Sequence, residues 1–337
     1  MQTPSRKTVG LWLLAIAAVI LAMVTIGGLT RLTGSGLSIT EWDPIMGVIP
    51  PLNHAEWAEA FDKYQKIPQY TVDNRGMTLD GFKGIFWWEW THRLLGRLLG
   101  VLFFVPFVWF AFTGAIRRAD WPRFVVLFLL GGLQGFIGWW MVESGLEVRT
   151  SVSQYRLAIH LGTAILLLAA ILWTALEYLR DLKTPARPAG RGFGFAAAVY
   201  VQMLLGALVA GLHAGLIYNT WPDMDGRLFP EGAFFHSPWW INFFDNPGLA
   251  QFDHRIGAYL VAGFAAFIFA RGVKLTGLAK KSAKLVAAIT VFQITLGIVT
   301  LLFQAPEQLA ALHQVTAALL FCAAVWHAYE LRHYASA

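Results

Sequence analysis

Eight long apolar stretches constrain the fold of this chain more than any other feature of its sequence. Each approaches the roughly 20 apolar residues that a helix needs to cross a bilayer. With 57% hydrophobic and only 14% charged residues, the composition excludes an ordinary soluble enzyme, a disordered chain and a nucleic-acid-binding protein. We therefore predict an all-α polytopic membrane protein with eight transmembrane helices. The stretches lie at approximately 9–30, 90–115, 124–142, 157–176, 194–214, 254–270, 285–304 and 310–329.

The placement of basic residues predicts the orientation. Eight spans put both termini on one side, which would carry 15 Lys and Arg residues against 4 acidic residues. The opposite side would carry 11 basic and 16 acidic residues, mostly in two long loops at about 31–86 and 215–252. Since cytoplasmic segments of membrane proteins are enriched in Lys and Arg, we expect both termini in the cytoplasm. The basic leader before the first span resembles a signal peptide, but the apolar run is too long and we expect a retained helix.

The second half of the chain repeats the landmarks of the first in the same order. Each half holds an even number of spans, so a parallel repeat about the membrane normal is indicated. We predict two pseudo-symmetric four-helix bundles, 1–182 and 183–337, joined by a Pro- and Gly-rich linker at about 180–193. The landmarks are Glu89-Trp-Thr-His92-Arg93 with Gln251-Phe-Asp-His254-Arg255, His160-Leu-Gly-Thr-Ala with His313-Gln-Val-Thr-Ala, Gln134 with Gln293, and Gly36-Leu37…Trp42 with Gly215-Leu216…Trp221.

Four histidines, placed by the repeat, head the even-numbered spans at the predicted outer boundary. Ionisable residues at membrane depth are candidates for function, and paired imidazoles from facing helices suit a haem iron or copper. We predict two bis-histidine haem sites, His92 with His160 and His254 with His313. The alternative is interfacial histidines beside Gly and Ala residues that serve helix packing. A small residue that would let a macrocycle approach follows each histidine by four positions, at Gly96, Ala164, Ala258 and Ala317.

Other polar residues near these sites are more ambiguous. Arg93 and Arg255 directly follow ligand histidines, and they either contact haem propionates or extend to lipid headgroups. The remaining histidines break the repeat, and we interpret them as loop, interfacial or terminal residues without an assigned role. They are His54, His213, His236, His327 and His333.

One asymmetry between the halves indicates chemistry. Glu89 lies three residues before His92 and therefore on the same helical face, whereas its counterpart Gln251 has no ionisable group. A carboxylate beside one haem can accept a proton or bind water. The first half is therefore predicted to be reactive and the second to hold a permanent cofactor. The alternative is an interfacial carboxylate paired with Arg93.

Taken together and in this order, these motifs resemble the haem A synthase family over nearly the whole chain. The resemblance implies oxidation of the C8 methyl group of haem O to the formyl group of haem A by two hydroxylations. It also implies that His254 and His313 ligate a resident haem b, that His92 and His160 ligate the substrate haem, and that Glu89 is the catalytic carboxylate. The single cysteine, Cys322, departs from members that carry a cysteine pair and indicates the cysteine-free, alphaproteobacterial or mitochondrial-like branch.

The resemblance also implies a setting. We expect a bacterial inner membrane, because the few residues before the first span leave no room for a mitochondrial transit peptide, with the haem sites near the outer face. Expected partners are haem O synthase, cytochrome c oxidase assembly factors, an electron donor and membrane lipid, with no nucleic acid. Two other functions remain open: a di-haem membrane cytochrome for electron transfer, and a two-repeat transporter.

Overall fold

The computed structural model describes residues 5–43, 46–180 and 190–334, and this part of the chain is helical without a β-strand. Eight of its helices (α1, α4, α5, α6, α7, α9, α10 and α11) are long and apolar enough to cross a membrane. The prediction of an all-α polytopic membrane protein is therefore confirmed. In chain order the helices are α1 Arg6–Leu32, α2 His54–Tyr64, α3 Pro68–Val72, α4 Leu79–Phe112, α5 Trp121–Glu143, α6 Gln154–Leu179, α7 Gly190–Gly211, α8 Asn242–Asp245, α9 Pro247–Gly272, α10 Gly277–Leu302 and α11 Glu307–Arg332.

Several spanning helices begin earlier than their apolar stretches, because a capping residue starts them in a polar region. The Thr78 side chain accepts a hydrogen bond from the Gly81 N–H and begins α4, although the apolar stretch begins near residue 90. The Asn246 side chain caps α9 in the same way, and Pro247 follows at the first helical position, where a proline is well tolerated. Both helices therefore begin well before the apolar stretches that were predicted to cross the membrane.

The predicted first outer loop, 31–86, contains folded structure. Helices α2 and α3 lie within it, and the first two turns of α4 occupy its last residues. Tyr64, Ile67, Phe82 and Phe86 form a buried apolar cluster with Leu37. The 34 residues of α4 make a rod of roughly 50 Å, well beyond the roughly 30 Å hydrocarbon core. The cluster thus covers the part of α4 that extends out of the bilayer.

The spanning helices make the same contacts in each half. In the first half α1 and α5 each pack against α4 and α6, and in the second half α7 and α10 each pack against α9 and α11. Between the halves α6 contacts α7 and α11, and α1 contacts α11. The halves also contact each other, and the division into two four-helix bundles stays a prediction. Of the predicted linker, residues 181–189 lie outside the described residues.

One contact between the halves connects the neighbourhoods of two predicted ligands. The amide of Gln314, which follows His313, donates a 2.6 Å hydrogen bond to the Val24 carbonyl on α1. The same amide lies over Gly28, where an added Cβ would come within 2.5 Å of it. Any larger residue at Gly28 would therefore displace Gln314 from α1.

Candidate functional site

The four predicted ligand histidines lie inside their helices and not at the helix starts. Helix α4 begins thirteen residues before His92, and the helices that carry the other three begin six or seven residues before them. The prediction that they head the spans was wrong, because the first turns of these helices carry polar residues and lie outside the apolar stretches.

His254 on α9 and His313 on α11 face each other. Their ring centroids are 6.3 Å apart and the ring planes are inclined by 79°. A metal–imidazole bond is about 2.0–2.1 Å long, so two imidazoles on opposite sides of one metal ion have ring centres roughly 6 Å apart. The pair therefore has the spacing that a bis-histidine metal site needs. Within the described residues, His92 and His160 make no corresponding ring contact.

Each of the four histidines rests on a glycine of a neighbouring helix. A Cβ built on that glycine would lie only 2.7–3.1 Å from the imidazole Cε1. At Gly27 and Gly297 the distance is under 3.0 Å, so the ring would have to shift to admit a Cβ. At Gly138 and Gly206 the contact of 3.0–3.1 Å is tight, and the ring would have to move slightly. The pairs are Gly27 with His92, Gly138 with His160, Gly206 with His254, and Gly297 with His313.

Three of the four histidines are also held by a glutamine. In each case the glutamine Nε2 lies 3.0–3.1 Å from the ring Nδ1 and donates a 2.7–3.0 Å hydrogen bond to the histidine carbonyl. The amide nitrogen thus holds the ring and its backbone together, and at His313 it also lies 3.4 Å from the ring Nε2. The pairs are Gln134 with His160, Gln202 with His254, and Gln293 with His313.

His92 is the exception. Its Nδ1 is buried and has no hydrogen-bond partner. Each of the three glutamines lies four residues before the glycine of its site, and the residue four before Gly27 is Met23. A thioether is only a weak acceptor. The ring Nδ1 of this predicted ligand is therefore held by packing and not by a hydrogen bond.

Glu89 is buried, with 3% of its surface exposed, and accepts four hydrogen bonds. Its Oε2 accepts from the Ser38 hydroxyl at 2.7 Å and from the Ile39 N–H at 2.9 Å. Its Oε1 accepts from Nη2 and Nε of Arg93 at 2.6 and 3.0 Å. Arg93 in turn donates to the carbonyls of Ile39 and Glu41. The carboxylate thus connects α4 to the chain that leaves α1.

The second half has a similar arrangement, in which a neutral amide replaces the carboxylate. In each half an arginine and the side chain four residues before it hold the helix to the neighbouring loop, and we call this arrangement the clamp. Arg255 donates to the Gln251 side-chain oxygen at 3.0 Å and to the carbonyls of Tyr218 and Asp223. The Gln251 amide nitrogen donates to the carbonyls of Ala214 and Tyr218 at 2.8 and 3.2 Å. Arg93 and Arg255 are thus both engaged with protein oxygens, and their contact with propionates stays a prediction.

Of the histidines without an assigned role, one was placed wrongly. His327 is neither in a loop nor terminal, because it is 2% exposed within α11 and its Nδ1 lies 2.9 Å from the Ser282 hydroxyl. His213 and His236 lie in the loop after α7, and His213 has a left-handed φ of 52°. The interpretation of His327 was wrong because it considered only where the residue lies along the chain, whereas its burial depends on how α11 packs.

The sequence analysis also missed the glycines, Gln202 and Ser38. The signal was present as Gln-x-x-x-Gly in three spans, at Gln134, Gln202 and Gln293. Comparing only the two halves hides it, because the counterpart of Gln202 is Met23. Comparing all four spans that precede a ligand helix would reveal it.

The family model for the cytochrome oxidase assembly protein family (COX15-CtaA) matches residues 10–325. The chain belongs to this family. A protein of Parvibaculum lavamentivorans named "Heme A synthase" is 49% identical over 97% of this chain and 95% of its own length. Proteins with the same name from Rhizobium rhizogenes and Brucella anthropi are 50% and 49% identical, over 95% and 96% of this chain and 89% and 91% of their own lengths. Membership of the COX15-CtaA family accords with the resemblance found in the sequence, and the eight apolar helices make this member a multi-pass membrane protein.

Proposed function

We propose that this protein is a haem A synthase, which oxidises the C8 methyl group of haem O to the formyl group of haem A. Relatives named for that product match it over nearly their whole length at about 50% identity. The structural observation that carries the proposal is the facing pair His254 and His313, whose 6.3 Å ring separation suits one metal ion. In the other half, His92 and His160 also rest on glycines, and we assign them to the binding of the substrate.

We assign the second half, 183–337, to a resident haem b ligated by His254 and His313. The first half, 1–182, is assigned to the substrate haem O, ligated by His92 and His160. Two observations support this division. Both second-half ligands have a glutamine partner, whereas His92 has none. Glu89 is a buried carboxylate in the half assigned to the substrate, and its counterpart in the other half is the neutral Gln251.

The reaction requires proton movements close to the substrate. Two successive hydroxylations convert the methyl group to a hydroxymethyl group and then to a geminal diol, which loses water to leave the formyl group. A bound haem b supplies a one-electron redox centre. A carboxylate near the substrate iron can hold or move protons during these steps, and we assign that role to Glu89.

The hydrogen bonds of Glu89 suggest how it takes up a proton. An ionised carboxylate offers about four acceptor positions, and four donor contacts already occupy them. A proton or a water molecule can therefore reach Glu89 only when one donor leaves. Ser38 is the neutral donor with a rotatable hydroxyl, and we assign it as the one that moves aside. Arg93 and the Ile39 N–H keep the carboxylate in place meanwhile.

The orientation that we propose places both termini in the cytoplasm and the histidines toward the outer face. The excess of Lys and Arg on the predicted cytoplasmic side supports it. A reporter fused after Lys281 should read cytoplasmic, and one inserted near Asp62 should read external. A cytoplasmic signal near Asp62 would invert the orientation. The partners that the chemistry requires are a source of haem O, an electron donor and a recipient of haem A in oxidase assembly.

Pigment analysis by mass spectrometry tests the function against its two rivals. The full-length protein should co-purify with haem B together with haem O, haem A or the hydroxymethyl intermediate. Haem B alone at two equivalents would identify a di-haem electron-transfer cytochrome. Absence of all haem from a folded, membrane-inserted protein would favour a transporter and reject the synthase.

A further inference from the structure

A cavity of about 220 Å³ lies between the loop that follows α1 and the end of α5. Arg93 and Ile39 both line it. These two residues donate three of the four hydrogen bonds that Glu89 accepts, and the Ser38 hydroxyl donates the fourth. Glu89 itself is buried. The residues that hold the carboxylate thus also form part of the cavity wall.

The cavity also reaches solvent. Its wall includes Glu41, Glu143 and Glu147, and all three residues are exposed. A cavity of this volume with polar groups in its wall has room for several water molecules. The three glutamates belong to connections that the proposed orientation places at the outer face. Water from that side therefore has access to the arginine that holds Glu89.

The two halves place a corresponding tryptophan differently. Trp221, which corresponds to Trp42 in the repeat, donates a 3.1 Å hydrogen bond to the Tyr259 hydroxyl on the ligand helix α9. Trp42 instead contacts Trp139 on α5, with ring centroids 6.0 Å apart, and both rings line the cavity. The tryptophan of the first half is thus part of the cavity wall, whereas its counterpart is tied to a ligand helix.

We propose that this cavity is the passage through which water and protons from the outer face reach Glu89. When the Ser38 hydroxyl moves aside, a water molecule from the cavity takes its place beside the carboxylate. A proton then leaves the protonated carboxyl group to form hydronium, or enters the carboxylate from hydronium, and no electron moves with it. The proposal rests on the role in proton transfer that we assign to Glu89.

Thiol labelling of the full-length protein in its membrane tests the passage without measuring activity. Glu89→Cys, in a Cys322→Ala background, places a thiol where the carboxylate stands, beside the cation of Arg93, which favours the reactive thiolate. The probe is a membrane-impermeant methanethiosulfonate that carries a trimethylammonium group. It should modify the thiol from the outer side of the membrane. Ile39→Cys, which keeps the backbone N–H, is a second reporter in the same cavity.

A plug shows whether the reagent passes through this cavity. Leu146 lines the cavity, so Leu146→Trp should fill part of it and abolish the labelling of Glu89→Cys. Gln251→Cys is the matched control, because Gln251 is as buried as Glu89, at 3% exposure, and its labelling should not respond to the plug. Val148→Trp, at a residue that is 85% exposed and outside the cavity lining, should leave the labelling of both thiols unchanged.

With Glu89 intact, Leu146→Trp should also lower haem A formation while haem B stays bound, which shows that the variant is folded. Two results would overturn the proposal. One is a folded protein in which neither Glu89→Cys nor Ile39→Cys is modified from the outer side. The other is a Leu146→Trp protein that blocks labelling and still forms haem A at the wild-type rate. Normal labelling and plugging in a protein that forms no haem A would reject the proposed function alone.

Discussion

The clamps around Glu89 and Gln251 differ by one side-chain group, and the loops that contact them differ in polarity. In the first half the loop supplies donors, the Ser38 hydroxyl and the Ile39 N–H. In the second half it supplies acceptors, the carbonyls of Ala214 and Tyr218. Either version connects a ligand helix to its loop through an arginine. The arrangement is therefore common to both halves and does not need the carboxylate, which is why we propose a role in proton transfer for Glu89.

Substitution of the proposed ligand histidines should have the largest effect, and the effect on haem content should differ between the two halves. His254→Ala or His313→Ala should eliminate b-type absorbance from the second half, because one imidazole cannot replace two. His92→Ala and His160→Ala should keep that absorbance and abolish haem A formation. Optical spectra and pigment mass analysis at equal protein level measure both. Equal loss of haem B from all four variants would show that the halves are not distinct sites.

Glu89→Gln should have the next largest effect. Haem A formation should fall to about 1% or less, since general acid–base catalysis contributes about 10²–10⁴-fold to the rate. Haem should remain bound, and haem O or the alcohol should accumulate. The exchange also breaks an ion pair in which Glu89 is 4% and Arg93 15% exposed, so stability must be measured alongside.

Arg93→Gln is the matched control, because it breaks the same pair and keeps the carboxylate. It should retain at least about tenfold more activity than Glu89→Gln. Equal loss in both variants would reduce Glu89 to a structural residue. The reverse exchange, Gln251→Glu, sets a carboxylate against two carbonyl oxygens and should destabilise the second half by about 1–3 kcal/mol without creating a second reactive site.

The glycines on which the histidines rest allow a finer test of how the ligands are positioned. Gly297→Ala would place a Cβ 2.7 Å from the His313 Cε1, so the ring must shift and haem b affinity should fall about tenfold or more. Gly263→Ala, in α9 with no heavy atom within 4 Å of the added Cβ, should keep the haem and gain up to about 1 kcal/mol in helix stability. Haem titration of both proteins measures the difference. Equal haem affinity of the two variants would mean that Gly297 does not position His313.

Ser38→Ala should have the smallest effect. A hydrogen bond to a charged group contributes about 1.5–3 kcal/mol, and the other three donors to Glu89 remain. Turnover should change about tenfold while haem content stays constant. Ser35→Ala is the control, because Ser35 is buried in the same loop and its hydroxyl bonds to Thr33. An equal response to both substitutions would remove Ser38 from the proton path.

The eight spans could be predicted from the sequence, because hydropathy is a property of the linear chain. The internal repeat likewise revealed the difference between Glu89 and Gln251, whereas the ligand role of the histidines stays a prediction. The early start of α4 was missed, although Thr78 caps it, because the packing of Tyr64 against Phe82 that buries its first turns joins residues far apart along the chain. Gln202 was missed for a different reason: its partner in the repeat is Met23, so the comparison of halves fails at the position that distinguishes them.

The hydrogen bond between Gln314 and Val24 makes α1 a wall shared by two binding sites. One face of α1 carries Gly27, on which His92 rests, and the carbonyl of Val24 holds the residue next to His313. If the proposed haem sites are correct, a shift of α1 on substrate binding in the first half would alter the contact that holds Gln314 beside His313. The absorbance spectrum of the proposed haem b would then report substrate occupancy without any added label.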